Sequence, residues 1–156
     1  MTQANRTGNT LENTVVGVLS SKGLQLVYYR EYQKHPELHG GELLLRNVPY
    51  MTIYGHPGNT EFLIRSSRYN LEVRIECKWQ QVPGSVDEKF PYLYLNCIEA
   101  MPERDIIIIL GGGGAKAGAI TWLRNTSILS KYTTETKNIH VFTIDQFIRW
   151  ANNTLR

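Results

Sequence analysis

Apolar and polar residues alternate most regularly between Glu72 and Gln80, where every odd-numbered position is apolar and every even-numbered position is polar. This pattern predicts a strand with one face in the core and the other face in water. After Asp105 the chain continues instead with an uninterrupted aliphatic run to Leu110, which predicts a strand buried on both faces. Strand character also occurs at Leu24 to Tyr32, Leu43 to Tyr54, Glu61 to Arg65 and His140 to Phe142.

Helical spacing and capping signals predict helices before, between and after these strands. The first helix covers about Thr10 to Lys22 and ends at Gly23. Ser85 and Glu88 have capping-box spacing and begin a helix that runs to about Met101, in which Pro91 predicts a kink or a delayed start. The other two helices are Ala115 to Arg124 and Thr143 to Asn153, the latter with Thr143 and Gln146 in capping-box spacing. This succession of helices and strands predicts an α/β fold with a mixed central sheet and flanking helices.

Composition agrees with a folded domain and limits where it acts. The chain has 156 residues, of which 42% are hydrophobic, and no linker or repeat divides it, so we expect one domain over residues 1–156. Its longest aliphatic run, Ile106 to Leu110, is too short to cross a membrane and the first ten residues are polar, so we expect a cytoplasmic protein without a membrane partner. Cys77 and Cys97 lie in patterned segments, and we expect reduced, buried thiols.

An acid and a lysine lie two residues apart on the polar face of the alternating strand. The form acid-x-Lys occurs three times, but only Glu76-Cys77-Lys78 lies on a strand whose other face is apolar. The carboxylate and the ammonium therefore project from the same sheet surface, about 7 Å apart along the strand, with Gln80 next in the row. A weak ion pair on the solvent side of the strand is the structural alternative.

This arrangement also suits phosphodiester hydrolysis. A hard divalent cation requires oxygen ligands, and the scissile phosphate requires charge neutralisation. Glu76 can supply one ligand, and Glu61, at the start of the preceding strand, is the natural second carboxylate. Lys78 would contact the phosphate and the attacking water, and we expect the metal to lower its pKa.

Three segments resemble the core of a PD-(D/E)XK superfamily nuclease: Gly58 to Ile64, Ile75 to Gln80 and Gly84 to Leu93. Ile106 to Gly113 and Gly118 to Leu123 are similar to one branch of that superfamily, so the likeness covers about Thr10 to Trp150. It implies a restriction-endonuclease-like core of order α-β-β-β-α-β. One departure is that Thr60-Glu61 stands where the family has its Pro-Asp pair, so the acid is one methylene longer.

The resemblance also implies a site and an activity. Glu61, Glu76 and Lys78 take the positions of the two family acids and the lysine, Gln80 that of an accessory polar residue, and Glu12 that of an acid that some members carry on the first helix. We expect Glu61 and Glu76 to bind the metal and Glu12 to join them through a water. We expect an Mg²⁺-dependent DNA endonuclease, with Mn²⁺ as an alternative metal, acting as a homodimer where both strands are cut. A branched-DNA resolvase and an inactive nuclease-fold protein that binds DNA or assembles with partners are the alternatives. Candidate DNA contacts are Arg46, Tyr54, Lys89 and Lys116, followed by Tyr50, Arg65, Arg68 and Arg74.

A glycine run offers a competing hypothesis. Gly112 to Ala117 satisfies the G-x-G-x-x-A dinucleotide fingerprint between a strand and a helix. No clear second parallel strand with a ribose-binding acid is apparent after it, so we favour a tight turn and expect no small-molecule cofactor. A third interpretation is that the loop N–H groups and Lys116 hold a DNA phosphate at the helix N-terminus.

Overall fold

A six-stranded sheet forms the centre of the protein in a computed structural model, which describes residues 3–156 and, except for residues 3–8 and 85, their side chains. The strands lie side by side in chain order: β1 (Gln25–Tyr28), β2 (Glu42–Met51), β3 (Pro57–Ser66), β4 (Leu71–Trp79), β5 (Asp105–Gly111) and β6 (Asn138–Phe142). β3 runs antiparallel to both of its neighbours, and the other adjacent pairs are parallel. The carboxyl ends of β2, β4, β5 and β6 therefore share one end of the sheet.

Five α-helices surround this sheet in the described part of the chain. They are α1 (Gln3–Ser21), α2 (Tyr29–Lys34), α3 (Ser85–Glu99), α4 (Ala117–Ile128) and α5 (Ile144–Thr154), and a 3₁₀ turn at Pro36–Leu38 follows α2. The expected core order α-β-β-β-α-β is present as α1, β2, β3, β4, α3 and β5, with β1 and α2 added between α1 and β2. The predicted α/β fold with a mixed sheet is confirmed.

The two faces of the sheet bury separate cores. Residues of α1 and α5, such as Val15 and Phe147, pack with Ile75 and Ile107 on one face. Residues of α3 and α4 pack with Ile106 and Ile108 on the other. Successive residues of β5 thus enter opposite cores, which confirms that this aliphatic strand is covered on both sides.

The first predicted strand is too long. β1 ends at Tyr28, and the chain turns into α2 at Tyr29. Tyr29 and Tyr32 are spaced one helical turn apart, and both pack, partly buried, on a cluster that includes Leu45 and Leu63. Tyr29 and Tyr32, which contributed to the strand prediction, therefore belong to a helix that packs on the sheet.

The helix signals hold to different degrees. The capping box of α5 is confirmed: Gln146 N–H donates to the Thr143 hydroxyl at 3.2 Å and the Gln146 side chain accepts from Thr143 N–H at 2.9 Å. α3 begins at Ser85 and continues through Pro91 to Glu99. The Ser85 side chain lies outside the described side chains, so its predicted cap does too.

Three other features of the described residues concern the expectations on cysteine, membrane and strand exposure. Cys77 and Cys97 are free and buried, as predicted. None of the helices described combines the length and apolarity that spanning a membrane requires. The expectation that the polar face of β4 lies in water is wrong. This face lies on the side of the sheet that α3 and α4 cover, and Arg74 and Glu76 are buried there.

Candidate active site

Glu61 lies where the pairing of β3 is interrupted on both sides. The ladder between β3 and β4 ends at Phe62 opposite Ile75. Beyond it, a carboxylate oxygen of Glu61 accepts the Cys77 N–H at 2.8 Å. On the β2 side, Asn47 stands opposite Glu61 with φ of +56°, a left-handed backbone that asparagine tolerates. The side chain of Glu61 thus replaces a backbone acceptor and is fixed at the opened end of the ladder.

Glu76 and Lys78 project together from the next strand, as predicted. The Glu76 Oε1 atom lies 2.5 Å from Lys78 Nζ. Glu76 is only 5% exposed, and its Oε2 atom is buried without a hydrogen-bond partner in the described structure. A buried carboxylate oxygen without a partner is energetically costly, so a ligand bound to this atom would stabilise it. The donor set, two carboxylates with one free buried oxygen, fits a hard divalent cation.

The electrostatics of the two acids agree with such a role. Burial, and then the charge of Glu76, raises the pKa of Glu61 to about 7, although the Cys77 N–H and Lys78 oppose this. Burial also raises the pKa of Glu76 against the opposing charges of Lys78 and Arg74. The buried carboxylate of Glu76 and the partly buried carboxylate of Glu61 therefore face one ammonium group, and this leaves negative charge that a cation can neutralise.

Lys78 is held in its charged form by these neighbours. Burial alone would lower its pKa, but the carboxylates of Glu76 and Glu61 raise the pKa above its ordinary value. The lowering expected from an adjacent metal is a separate effect that acts against this one. In the structure Lys78 is an ammonium group that is one-third exposed, suited to charge neutralisation rather than to accepting a proton.

Glu12 is placed beside the site but is paired with another residue. Its carboxylate lies 3.8 Å from the guanidinium of Arg46, which also lies over the Tyr28 and Phe62 rings. The charge of Glu12 contributes to the raised pKa of Cys77, so it is near the end of β4. Among the described residues there is no metal-site group of three or more His, Cys, Asp or Glu side chains. The structure thus brings Glu61 and Glu76 together and leaves Glu12 with Arg46.

Gln80 joins the end of β4 to two other segments. Its side-chain oxygen accepts the Val86 N–H at the start of α3 at 3.0 Å, and its amide nitrogen donates to the Gly114 carbonyl at 3.5 Å. Its backbone also bonds to Gly111 and Gly114. Gln80 is buried, and both the oxygen and the nitrogen of its side-chain amide are hydrogen-bonded to backbone groups of neighbouring segments.

The glycine run forms a tight turn against the chain after β4. A Cβ atom on Gly112 would lie 2.3 Å from the Gln80 carbonyl oxygen, and one on Gly114 would lie 2.4 Å from the Gln81 carbonyl carbon. Only glycine permits this backbone approach. The backbone of residues 80–82 thus packs directly against Gly112 and Gly114. β6 pairs parallel with β5, so a second parallel strand does follow the turn, but this strand contains no acidic residue that could bind a ribose.

The expected phosphate site at Lys116 is occupied by a carboxylate. Lys116 precedes α4, and its backbone N–H lies 3.3 Å from both oxygens of Asp87. An anion at this helix N-terminus is therefore already supplied by the chain. The Lys116 side chain is exposed, as is that of Lys89. Tyr54 is also exposed and stacks on Tyr92.

Arg74 is an interior residue and is excluded as a DNA contact. Its guanidinium forms a two-pronged ion pair with Glu103, at 2.5 and 3.0 Å. It also donates to the Thr60 hydroxyl at 3.0 Å and to the Val48 carbonyl at 3.1 Å. Thr60, which precedes Glu61 where the family has proline, is therefore a partner of Arg74. The alternation of β4 places Arg74 on the same face as Glu76 but gives no signal for its partner Glu103, which lies 29 residues later.

Tyr50 completes the buried surroundings of the acids. It lies over the Arg74 guanidinium, with 5.5 Å between the ring centroid and the guanidinium carbon. Burial, followed by the charge of Glu76, raises the pKa of Tyr50 to about 12. Its hydroxyl therefore stays protonated at neutral pH. The sequence makes Tyr50 a candidate for DNA contact, and the structure places it, partly buried, near Glu76 and near Tyr92 of α3.

Comparison with known proteins addresses the family of this fold and site. Residues 3–155 match the family model of the PD-(D/E)XK nuclease superfamily domain. A search of curated proteins finds no match. The matched range includes Glu61, Glu76 and Lys78 and all six strands of the sheet. Since the match extends over nearly the whole sequence and agrees with the order of elements around these residues, the chain belongs to the PD-(D/E)XK nuclease superfamily.

Proposed function

We propose that the protein is a divalent-metal-dependent endodeoxyribonuclease, with Mg²⁺ as the metal and Mn²⁺ as an alternative. The observation that carries this proposal is the buried Oε2 atom of Glu76, which has no hydrogen-bond partner among the described residues although the Glu76 carboxylate interacts with Glu61 and Lys78. An ion pair on the surface of the strand would be solvated and would leave no buried oxygen unpaired. The burial of Glu76 thus favours a functional site over a surface contact.

Each residue of the site has a distinct role in this proposal. Glu61 and Glu76 would hold the cation, which supplies a Lewis acid for phosphate and water. Lys78 donates to a non-bridging phosphate oxygen and neutralises charge that develops during attack, while its neighbours keep it protonated. Gln80 fixes the end of β4 against α3, so that Lys78 is presented from a rigid element. Glu12 would join as a further ligand only after leaving Arg46.

The charge distribution supports a nucleic-acid substrate, which the proposal takes to be DNA. The chain carries 17 Lys and Arg against 14 acids. When Glu12, Glu61 and Glu76 are assigned to a metal site, 11 acids remain and the rest of the chain has a net charge of +6. Lys89 and Lys116 are exposed cations near the end of the sheet where the site lies. Because one site cuts one strand, cutting both strands at one place requires a homodimer.

The test compares cleavage by the wild type with that by Glu76→Gln and Lys78→Met. Supercoiled, linear, single-stranded and four-way-junction DNA are each incubated with Mg²⁺, Mn²⁺ or EDTA. Glu72→Gln is the matched control, because Glu72 is an exposed acid on the same strand. We expect cleavage by the wild type and the control in metal and a loss of at least 100-fold in both site variants. Retarded but uncut DNA in every condition would instead indicate a binding protein, and cleavage by both variants would refute the site.

A further inference from the structure

An aromatic ring in the turn between β2 and β3 stacks on a ring of α3, and the proposed site uses neither of them. Tyr54 is 69% exposed, and its ring stacks on that of Tyr92 in α3 with centroids 4.9 Å apart and an interplanar angle of 25°. The ring of His56 lies 5.9 Å from that of Tyr54. Most of the Tyr54 surface is thus apolar area held in water, with a ring face that a further aromatic group can cover.

The turn that presents Tyr54 is rigidly attached. The Ile53 N–H donates at 2.9 Å to the side-chain oxygen of Asn96, a buried residue of α3. The Thr52 N–H and hydroxyl both donate to the His56 carbonyl, at 3.0 and 2.9 Å. The ring pair is therefore fixed before any ligand arrives, and little conformational entropy is lost on binding.

This ring pair lies at the same end of the sheet as Glu76 and Lys78. β2 and β4 are parallel because each is antiparallel to β3, so the turn after β2 and the end of β4 project in the same direction. From His56 to Glu61 is five residues of nearly extended chain, about 17 Å. Tyr50 connects the two places, since the charges of both Glu76 and Tyr92 contribute to its raised pKa. Lys89, exposed and one turn before Tyr92 on α3, adds a positive charge nearby.

We propose that Tyr54 and Tyr92 form a stacking platform for an unpaired nucleobase, so that the substrate is DNA with unpaired bases close to the bond that is cut. This rests on the proposed function and names its substrate class. In a continuous duplex the base faces are covered by their neighbours, whereas an unpaired base offers a π-face to an exposed ring. Lys89 would hold the backbone of the same nucleotide.

Binding in EDTA tests the platform independently of cleavage. Fluorescein-labelled single-stranded DNA and the duplex of the same sequence are titrated with wild type, Tyr54→Ala and Tyr54→Phe, and affinity is measured by anisotropy. The control is Tyr132→Ala, because Tyr132 is 70% exposed but follows α4 at the opposite end of the sheet. We expect Tyr54→Ala to weaken single-strand binding about tenfold and to leave duplex binding unchanged, while Tyr54→Phe and the control retain both.

A 2-aminopurine in the single strand reports stacking directly. Its fluorescence should be quenched on binding by wild type and by Tyr54→Phe, and not by Tyr54→Ala. Should Tyr54→Ala fail to fold, Tyr54→Leu keeps an apolar contact with Tyr92 without a π-face and is used instead. Equal weakening of single-strand and duplex binding, or no single-strand binding by wild type, overturns the platform. Quenching without cleavage in Mg²⁺ supports the platform and refutes the proposed nuclease. Cleavage of duplex DNA alone supports the nuclease and refutes the platform.

Discussion

Replacing Glu61 with glutamine should stabilise the protein above neutral pH. The substitution removes a charge that burial and Glu76 both disfavour, and the glutamine side-chain oxygen can still accept the Cys77 N–H. The pKa of Glu61 is raised from 4.5 to about 7. At 1.36 kcal/mol for each unit, keeping this carboxylate ionised in the folded state costs about 3 kcal/mol. Glu61→Gln should recover most of that free energy at pH 8.

The pH dependence has a defined sign. Because the folded state holds the proton of Glu61 more tightly than the unfolded state, its contribution to stability is fully present below pH 4.5 and is lost as the pH rises through about 7. The difference in unfolding free energy between Glu61→Gln and wild type should therefore grow from near zero at pH 4 to about 3 kcal/mol at pH 8. Effects common to both proteins cancel in this difference.

Urea unfolding in EDTA, followed by tryptophan fluorescence at intervals from pH 4 to pH 8, measures this difference. Glu72→Gln serves as the control, because its carboxylate is exposed and lies 3.8 Å from Arg65, and it should change stability by less than about 1 kcal/mol at every pH. Parallel pH profiles for wild type and Glu61→Gln would refute the reasoning. So would a lower stability of Glu61→Gln at pH 8, which would mean that the ionised carboxylate is stabilising.

Three further predictions follow from contacts around the site. Arg74→Met should destabilise the fold by about 3–5 kcal/mol in urea unfolding because it leaves Glu103 buried and unpaired, and adding Glu103→Leu should restore most of that loss. Gly114→Ala should lower the melting temperature by several degrees because its Cβ would overlap the backbone of residues 81 and 82, whereas Gly118→Ala, with open space in α4, should leave it unchanged or raise it. Millimolar Mg²⁺ should raise the melting temperature of wild type in differential scanning fluorimetry but not that of Glu76→Gln, and an equal shift in both would argue against a cation at Glu76.

Local periodicity predicted the strands that carry the site, because the pattern of a strand is contained in its own residues. The alternation in β4 placed Glu76 and Lys78 on one face, and the structure joins them by an ion pair. The same alternation could not say what covers that face. Arg74 is buried because Glu103, 29 residues later, pairs with it, and a polar residue with a distant partner has no local signature.

Other parts of the site depended on geometry that sequence patterns do not contain. Glu12 was expected among the metal ligands, but the structure pairs it with Arg46 from β2. Gln80 was expected beside Lys78 as a catalytic group, and its side chain instead bridges α3 and the glycine turn. In both cases the partner depends on where whole elements lie in the fold and not on residue type alone.

The charge of the site explains why a protein would keep such costly groups. Glu61 and Glu76 carry two negative charges when ionised, and Lys78 returns one positive charge, so the ionised cluster has a net charge of −1 and repels phosphate. A divalent cation on the same carboxylates changes the net charge to +1 and turns repulsion into attraction. Under the proposed function, cation and DNA therefore each favour binding of the other, and the instability of the metal-free acid pair is the origin of that coupling.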